Sequence, residues 1–236
     1  LPNQNIDGGT WMRIWSMSKL VTISLAMDLM EEGLFYLDDP VHKYIPEFSN
    51  LMVAVDSNGE SISRSRKVDL DCPHDLVNMD SVMTVQHLFN HTAGFYYALT
   101  PSKCLNDSLA IKRILQAENG DQLIDILATL PLVQQPGQRY FYGMNTSVLG
   151  LLLERVTGKS LYQNLKERVT KVHNIEGLAY TKPQGIELLP TFTGREGNLR
   201  KIIDGELDIF GGEVPNYSRD NNLFLGGEGM LGTADG

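Results

Sequence analysis

The amino-acid sequence predicts a helix-rich domain with few β-strands. Three observations favour this: a long, almost uniformly apolar segment from Ser16 to Glu32, several later segments with capping residues and apolar residues at helical spacing, and a single clear strand signal between residues 51 and 70. The 236 residues suffice to bury a core, and no repeat or linker divides them. We therefore expect one domain over residues 1–236.

The first element is a helix that is expected to begin near Ser16 and to end at Glu32, with Gly33 as the left-handed residue after the helix end. Its apolar side chains leave almost no polar face, a pattern typical of a helix buried on nearly all sides. They are Leu20, Val21, Ile23, Leu25, Ala26, Leu29 and Met30. A serine and a lysine at the start of such a helix require an explanation.

The next stretch of chain predicts an irregular segment and then a β-hairpin. Two prolines interrupt residues 37–48, which are expected to cross the domain without regular structure. Residues 51–56 and 61–70 flank the sequence Ser-Asn-Gly-Glu at 57–60, and Asn-Gly is the strongest short hairpin signal. Because the second arm is polar and basic, the hairpin is predicted to be a solvated insertion.

Further helices are predicted from capping residues and apolar spacing. Residues 149–156 present leucine and valine on one helix face that ends at Gly158. After residue 174 the chain is rich in glycine and proline, and its signals are weak. The predicted N-terminal caps of the other helices are Thr84, Asp107, Asp121 and Ser160.

Composition excludes several classes of function. The net charge is −9 and the isoelectric point is near 5.0, so the chain lacks the basic surface that binds DNA or RNA. No apolar run reaches the roughly 18 residues expected of a transmembrane helix. The two cysteines, Cys72 and Cys104, form no zinc-binding pattern, which leaves either two free thiols or one disulfide.

Ser16 and Lys19 form a Ser-x-x-Lys pair at the start of the first helix. Residues three apart lie on the same helix face, so the lysine amine can reach the serine hydroxyl. A serine becomes a good nucleophile when a neighbour takes its proton, and a lysine at low dielectric can accept one. The helix N-terminus favours developing negative charge. The pair suits acyl transfer; the alternative is that Ser16 or Ser18 caps the helix while Lys19 faces water.

Four blocks of sequence, in order, resemble a known family. They are RIWSMSKLVTISLAMDLMEEGLFYLDDPVHKYIPEF, MTVQHLFNHTAGF, PGQRYFYGMNTSVLGLLLERVTGKSL and GGEGMLGTADG. All four are similar to segments of the penicillin-recognising serine hydrolases, the group of class C β-lactamases, D-Ala-D-Ala carboxypeptidases and β-lactamase-like esterases. The resemblance implies an α/β (α+β) fold of the β-lactamase/transpeptidase type. It also implies an incomplete catalytic domain, with the helical part and the active-site helix present and the N- and C-terminal sheet strands missing.

The resemblance also implies the site residues. Ser16 would be the nucleophile, Lys19 its activating partner, and Tyr142 the tyrosine that relays protons; the alternative for Tyr142 is an ordinary half-buried aromatic. Trp15 would line the substrate pocket or pack in the core. The family needs no cofactor and no metal, so the zinc-compatible spacing of His87 and His91 is expected to be structural.

Two departures from the family pattern affect the expected function. Met144 stands where lactamases and peptidases carry an asparagine, and Asn145 comes one place later; the resemblance assigns both to substrate binding. A thioether cannot form the amide hydrogen bonds of a penicillin side chain, which favours an ester. The family's third motif is not found in this sequence. It consists of a Lys, His or Trp followed by x-Gly, and it lies on a strand that supplies an N–H donor to the oxyanion. Such a donor increases the rate by about 10²–10³.

The sequence therefore predicts a serine hydrolase that cleaves an ester or amide carbonyl through a Ser16 acyl-enzyme, most simply a carboxylesterase. A β-lactamase or D-Ala-D-Ala carboxypeptidase is the first alternative, and an acyltransferase or a non-catalytic binding relative is the second. The expected partner is a small-molecule ester, β-lactam or peptide. Oligomeric state is left open, and so is the compartment, which is cytoplasmic for many esterases and periplasmic or secreted for lactamases and peptidases.

Overall fold

The computed structural model describes residues 6–64, 72, 74–112, 114–193, 198, 200–202 and 217–236. Seven α-helices and seven short strands are found in these residues. The helices are α1 Ser18–Glu31, α2 Val85–Phe89, α3 Lys103–Ile111, α4 Gly120–Ala128, α5 Asn145–Thr157, α6 Leu161–Leu165 and α7 Lys171–His173. The strands are β1 Met12–Arg13, β2 Met52–Val55, β3 Asp75–Asn78, β4 Leu178–Ala179, β5 Phe192–Thr193, β6 Arg200–Lys201 and β7 Leu231–Gly232.

Helix α5 is the centre of the core, and both α1 and α2 pack against it. Its first nine residues, 145–153, are all buried. The prediction that α1 is buried on nearly all sides is wrong for one face, since Leu20 and Met27 are exposed in the part of the chain described. The opposite face of α1 is buried and includes Thr22, Leu25 and Leu29.

A small antiparallel sheet holds the N-terminus of α1 in place. Strand β7 lies between β1 and β4. The segment that leads into β7 crosses α1: the Ser18 hydroxyl accepts the Met230 N–H at 3.1 Å, and the Thr22 hydroxyl donates to the Gly226 carbonyl at 2.7 Å. Residues far apart in sequence thus meet at the first turn of α1.

The predicted hairpin is only partly correct. The turn at 57–60 forms, and Val55 makes a single bridge to Ser61. The partner strand of β2 is β3, however, and residues 62–64 form a 3₁₀ turn in which Ile62 is buried. The remaining residues of the expected second arm, 65–70, lie outside the described residues. An Asn-Gly turn fixes a chain reversal, but the pairing of a strand depends on distant sequence.

Two of the predicted helix caps are confirmed and two are wrong. Thr84 forms a capping box with His87, and Ser160 caps α6. Helix α3 is capped by Ser102 instead of Asp107, and α4 by Asn119 instead of Asp121. Serine, asparagine and aspartate cap equally well, so local sequence did not distinguish among neighbouring candidates.

Cys72 and Cys104 are joined by a disulfide, with the two sulfur atoms 2.20 Å apart. Of the two alternatives drawn from the sequence, the pair of free thiols is therefore wrong. None of the helices in the described ranges combines the length and the apolar character needed to cross a membrane.

Candidate active site

Ser16 lies in a 3₁₀ turn, Trp15–Met17, directly before α1. Trp15 adopts a positive φ of 39°, which is unusual for a bulky residue and costs about 1–3 kcal/mol. This turn leaves the Ser16 side chain exposed, whereas Lys19, one turn further on, is only 7% exposed. The alternative in which Lys19 faces water is therefore wrong.

The Lys19 amine is held by three acceptors. Its Nζ donates to Ser16 Oγ at 3.1 Å, to the Tyr97 hydroxyl at 3.2 Å and to the Gly227 carbonyl at 2.8 Å. An ammonium group has three N–H donors and no lone pair, so three acceptors satisfy it completely. The contacts fit a protonated lysine that points at the Ser16 hydroxyl.

Tyr142 completes the group of residues that the sequence assigned to catalysis. Its hydroxyl lies 2.7 Å from Ser16 Oγ, and Lys19 Nζ lies 5.0 Å from the centre of its ring. The ring stacks on His91 at 5.1 Å and is 42% exposed. The structure thus brings Ser16, Lys19 and Tyr142 together from two distant parts of the chain.

The position of Tyr142 depends on the glycine that follows it. A Cβ atom at Gly143 would lie 2.1 Å from the Phe95 carbonyl oxygen, so only glycine allows the two backbones to approach this closely. The segment that begins at Phe95 also carries Tyr97, which contacts Lys19. Gly143 therefore sets the distance between the two tyrosine-bearing segments.

Met144 and Asn145 do not line the site. Both are 0% exposed, and the Asn145 side chain lies 3.2 Å from the His91 ring beneath Tyr142. The assignment of both residues to substrate binding is therefore corrected: Met144 is the residue before α5 and Asn145 is its first residue, and both side chains are buried. Trp15 is half-buried, and its indole N–H is buried without an acceptor among the described residues.

His91 lies beneath Tyr142 as a neutral imidazole. Burial, with a smaller contribution from the Lys19 charge, lowers the pKa of His91 to about 4. His87 accepts the Thr84 N–H through Nδ1 at 3.2 Å. In the described part of the chain, the one cluster with metal-ligand spacing is Cys72, His74 and Cys104, and its two sulfurs are bonded to each other.

The low pKa of His91 predicts how stability changes with pH. An unfolded chain protonates this histidine below its ordinary pKa of 6.5, but the folded chain does so only near 4. The stabilisation is therefore complete above pH 6.5 and is lost as the pH falls towards 4, by up to about 3 kcal/mol. We expect the free energy of unfolding, measured in urea, to fall with decreasing pH more steeply for the wild-type chain than for His91→Asn. Asparagine is chosen because it tolerates the positive φ at this position.

Glu154 changes the pH dependence of stability in the direction opposite to His91, so the effect of His91 is measured as the difference between the wild-type chain and His91→Asn. Burial raises the pKa of Glu154 to about 7, so this carboxyl stabilises the fold at low pH and loses that effect as the pH rises towards 7. The Glu154 effect cancels in the difference between the two proteins. Parallel curves for wild type and His91→Asn would show that His91 is not the group responsible.

Three residues of the site were not identified from the sequence: Tyr97, Ser147 and Glu228. Glu228 accepts hydrogen bonds from the Tyr97 and Ser147 hydroxyls, each at 2.9 Å. Burial raises the pKa of Glu228, while Lys19 and these two hydrogen bonds act in the opposite direction. Burial and the Glu228 charge raise the pKa of Tyr97 well above its usual range. The available signal was the lone carboxylate within the sequence GGEGM, at 226–230.

The chain is similar to known proteins over nearly its whole length. The family described as Beta-lactamase matches residues 2–235. Acyltransferase mokF of Monascus pilosus is 31% identical over 98% of this chain and 51% of its own length. The solved structure of simvastatin synthase (LovD) from Aspergillus terreus is 25% identical, with a TM-score of 0.71, over 99% of this chain and 54% of that one.

A second solved structure has the same fold. EstCE1, described as a hydrolase with promiscuous acyltransferase activity, is 24% identical with a TM-score of 0.70, over 96% of this chain and 56% of its own. This chain therefore spans about half the length of each of these three proteins. The β-lactamase/transpeptidase-like fold expected from the sequence is confirmed.

Proposed function

The chain belongs to the β-lactamase family, and from this membership and the geometry around Ser16 we propose that it is a serine hydrolase that works through an acyl-enzyme. The observation that carries the proposal is the position of the Ser16 hydroxyl, 2.7 Å from the Tyr142 hydroxyl and 3.1 Å from Lys19 Nζ. A nucleophile within hydrogen-bond reach of its proton acceptor is the arrangement that covalent catalysis requires.

In the proposed reaction, Ser16 Oγ attacks the substrate carbonyl and transfers its proton to the Tyr142 phenolate oxygen. The Lys19 ammonium stabilises that phenolate and the charge that develops on Ser16. Tyr142 then gives the proton to the leaving group as the carbon–oxygen bond breaks, which leaves an acyl group on Ser16. Water attacks this acyl-enzyme in the second half-reaction, releases the acid and restores the serine hydroxyl.

We propose a carboxylic ester as the substrate. The buried position of Met144 removes the argument that this side chain selects esters over β-lactams, so the support comes from elsewhere. Acyltransferase mokF matches 98% of the chain, and acyl transfer begins with the same acyl-enzyme as ester hydrolysis. Ser16 and Tyr142 are both accessible to an incoming acceptor in the described structure.

Acyl transfer to an alcohol is the second candidate function, and the match to mokF favours it specifically. Hydrolysis and transfer differ only in the acceptor that attacks the acyl-enzyme. A β-lactam or a D-Ala-D-Ala peptide would also acylate Ser16, so both belong among the compounds tested.

The proposal is tested by intact-mass measurement after incubation with an alkyl fluorophosphonate, a reagent that labels activated serines. We expect one adduct on the wild-type chain and none on Ser16→Ala. The matched control is Ser24→Ala, because Ser24 lies on the exposed side of α1, the helix that follows Ser16, and its hydroxyl donates to the Leu20 carbonyl. An adduct that persists in Ser16→Ala, or a wild-type chain that is never labelled, would contradict the proposal.

A turnover assay then distinguishes the two candidate functions. With a p-nitrophenyl ester in water and in a water–alcohol mixture, hydrolysis yields the acid in both, whereas transfer yields a new ester in the mixture. Replacing the ester by a penicillin tests the β-lactam alternative, for which a stable adduct or ring opening is the signal.

A further inference from the structure

Glu228 is a buried carboxylate that the proposed reaction does not use. It is 1% exposed and lies in the glycine-rich segment 226–229, which crosses the N-terminal half of α1. A Cβ atom at Gly227 would lie 2.6 Å from Ser147 Oγ and 3.4 Å from Lys19 Nζ, so the segment is packed tightly against the site. Burial of an unpaired charge is strongly unfavourable, and Glu228 therefore requires a partner.

Both carboxyl oxygens of Glu228 have hydrogen-bond partners. Ser147 donates to Oε1 and Tyr97 donates to Oε2, both at 2.9 Å, so both oxygens act as acceptors. The Tyr97 hydroxyl accepts from Lys19, and its own proton is therefore directed at Glu228.

The partner of Glu228 is Lys19. Oε2 lies 3.9 Å from Lys19 Nζ, and the Tyr97 hydroxyl bridges the two groups. The other titratable groups whose charge interacts with Glu228 are the buried phenols Tyr180 and Tyr217, which carry no charge near neutral pH because their pKa values are raised. His91, near Lys19, is neutral as well.

We propose that Glu228 is a positioning residue of the Ser16 site: its carboxylate is the counter-charge of the Lys19 ammonium, and through Tyr97 it holds that ammonium against Ser16. The effect of Glu228 on the reactivity of Ser16 rests on the proposed function, whereas its pairing with Lys19 does not. Because a protonated lysine has no lone pair, Ser16 passes its proton to Tyr142. Lys19 acts by its charge.

The first test measures the rate of fluorophosphonate labelling at Ser16 as a function of pH. Glu228→Gln keeps the size of the side chain and removes its charge. We expect labelling to slow by about tenfold or more at neutral pH, and the pH dependence of labelling to change, because the charge beside Lys19 has been removed. Glu154→Gln is the matched control, since it makes the same change at another buried glutamate, and it should label at the wild-type rate.

A role for Glu228 in folding alone would lower stability and leave the pH profile of labelling in place. Wild-type labelling with an unchanged pH profile in Glu228→Gln would therefore overturn the proposal.

The second test does not depend on activity. A double-mutant cycle with Lys19→Met and Glu228→Gln, followed by urea unfolding, measures the coupling between the two side chains. We expect each single variant to be destabilised, because one buried charge is left alone, and the double variant to be less destabilised than the sum. Additive effects would overturn the pairing. If the wild-type chain is not labelled but the cycle shows coupling, the proposed function fails and the pairing stands.

Discussion

Replacement of Tyr142 by phenylalanine is expected to slow acylation of Ser16 by about 10²–10⁴-fold, the contribution typical of a general acid–base group, with little change in the free energy of unfolding. The substitution removes only the hydroxyl that lies 2.7 Å from Ser16 Oγ. The ring keeps its stacking on His91 at 5.1 Å and its contact with Tyr97 at 5.6 Å. The measurement is kcat/KM for a p-nitrophenyl ester, together with the rate of fluorophosphonate labelling.

Tyr140→Phe is the matched control for this prediction. Tyr140 also packs against the His91 ring, at 5.7 Å, and is 61% exposed, so loss of its hydroxyl should leave both rates unchanged. A Tyr142→Phe protein with nearly wild-type rates would mean that another group takes the Ser16 proton. Lys19, at 3.1 Å, would then be the base.

Replacement of Gly143 by alanine should both destabilise the fold and abolish labelling of Ser16. The new Cβ would lie 2.1 Å from the Phe95 carbonyl oxygen and 2.7 Å from the Tyr96 Cα. Both are backbone atoms, so the clash is relieved only if the two segments move apart. That movement carries Tyr142 and Tyr97 away from Ser16 and Lys19.

Overpacking of this kind typically costs about 1–3 kcal/mol, and urea unfolding measures that loss. Labelling should also fail without urea, where the variant remains folded, because Tyr142 and Tyr97 are displaced from Ser16 and Lys19. Gly9→Ala is the control: its nearest neighbour would lie at 3.6 Å, an ordinary contact, and neither stability nor labelling should change. Full labelling of Gly143→Ala would show that the approach of the two segments is not required.

The sequence alone determined the features that depend on neighbouring residues. Ser16 and Lys19 are three residues apart, so their proximity follows from the geometry of the helical turn that leads into α1. The turn at 57–60 and the caps at Thr84 and Ser160 are likewise local. The prediction that Tyr142 lies beside Ser16 and Lys19 did not come from local spacing. It came from the resemblance of four ordered blocks of sequence to a known family.

The tertiary structure decided the features that join distant residues. Tyr97 and Glu228 are 131 positions apart, and Lys19 and Gly227 are 208 apart, so no window of sequence contains both members of either pair. The strands of the small sheet are two residues long, too short to show an alternating pattern. Met144 could be identified as a departure from the family pattern, but its burial could not, because burial depends on what packs against a residue. Local sequence placed Ser16 and Lys19 one helical turn apart, whereas long-range packing placed Tyr97 and Glu228 beside Lys19.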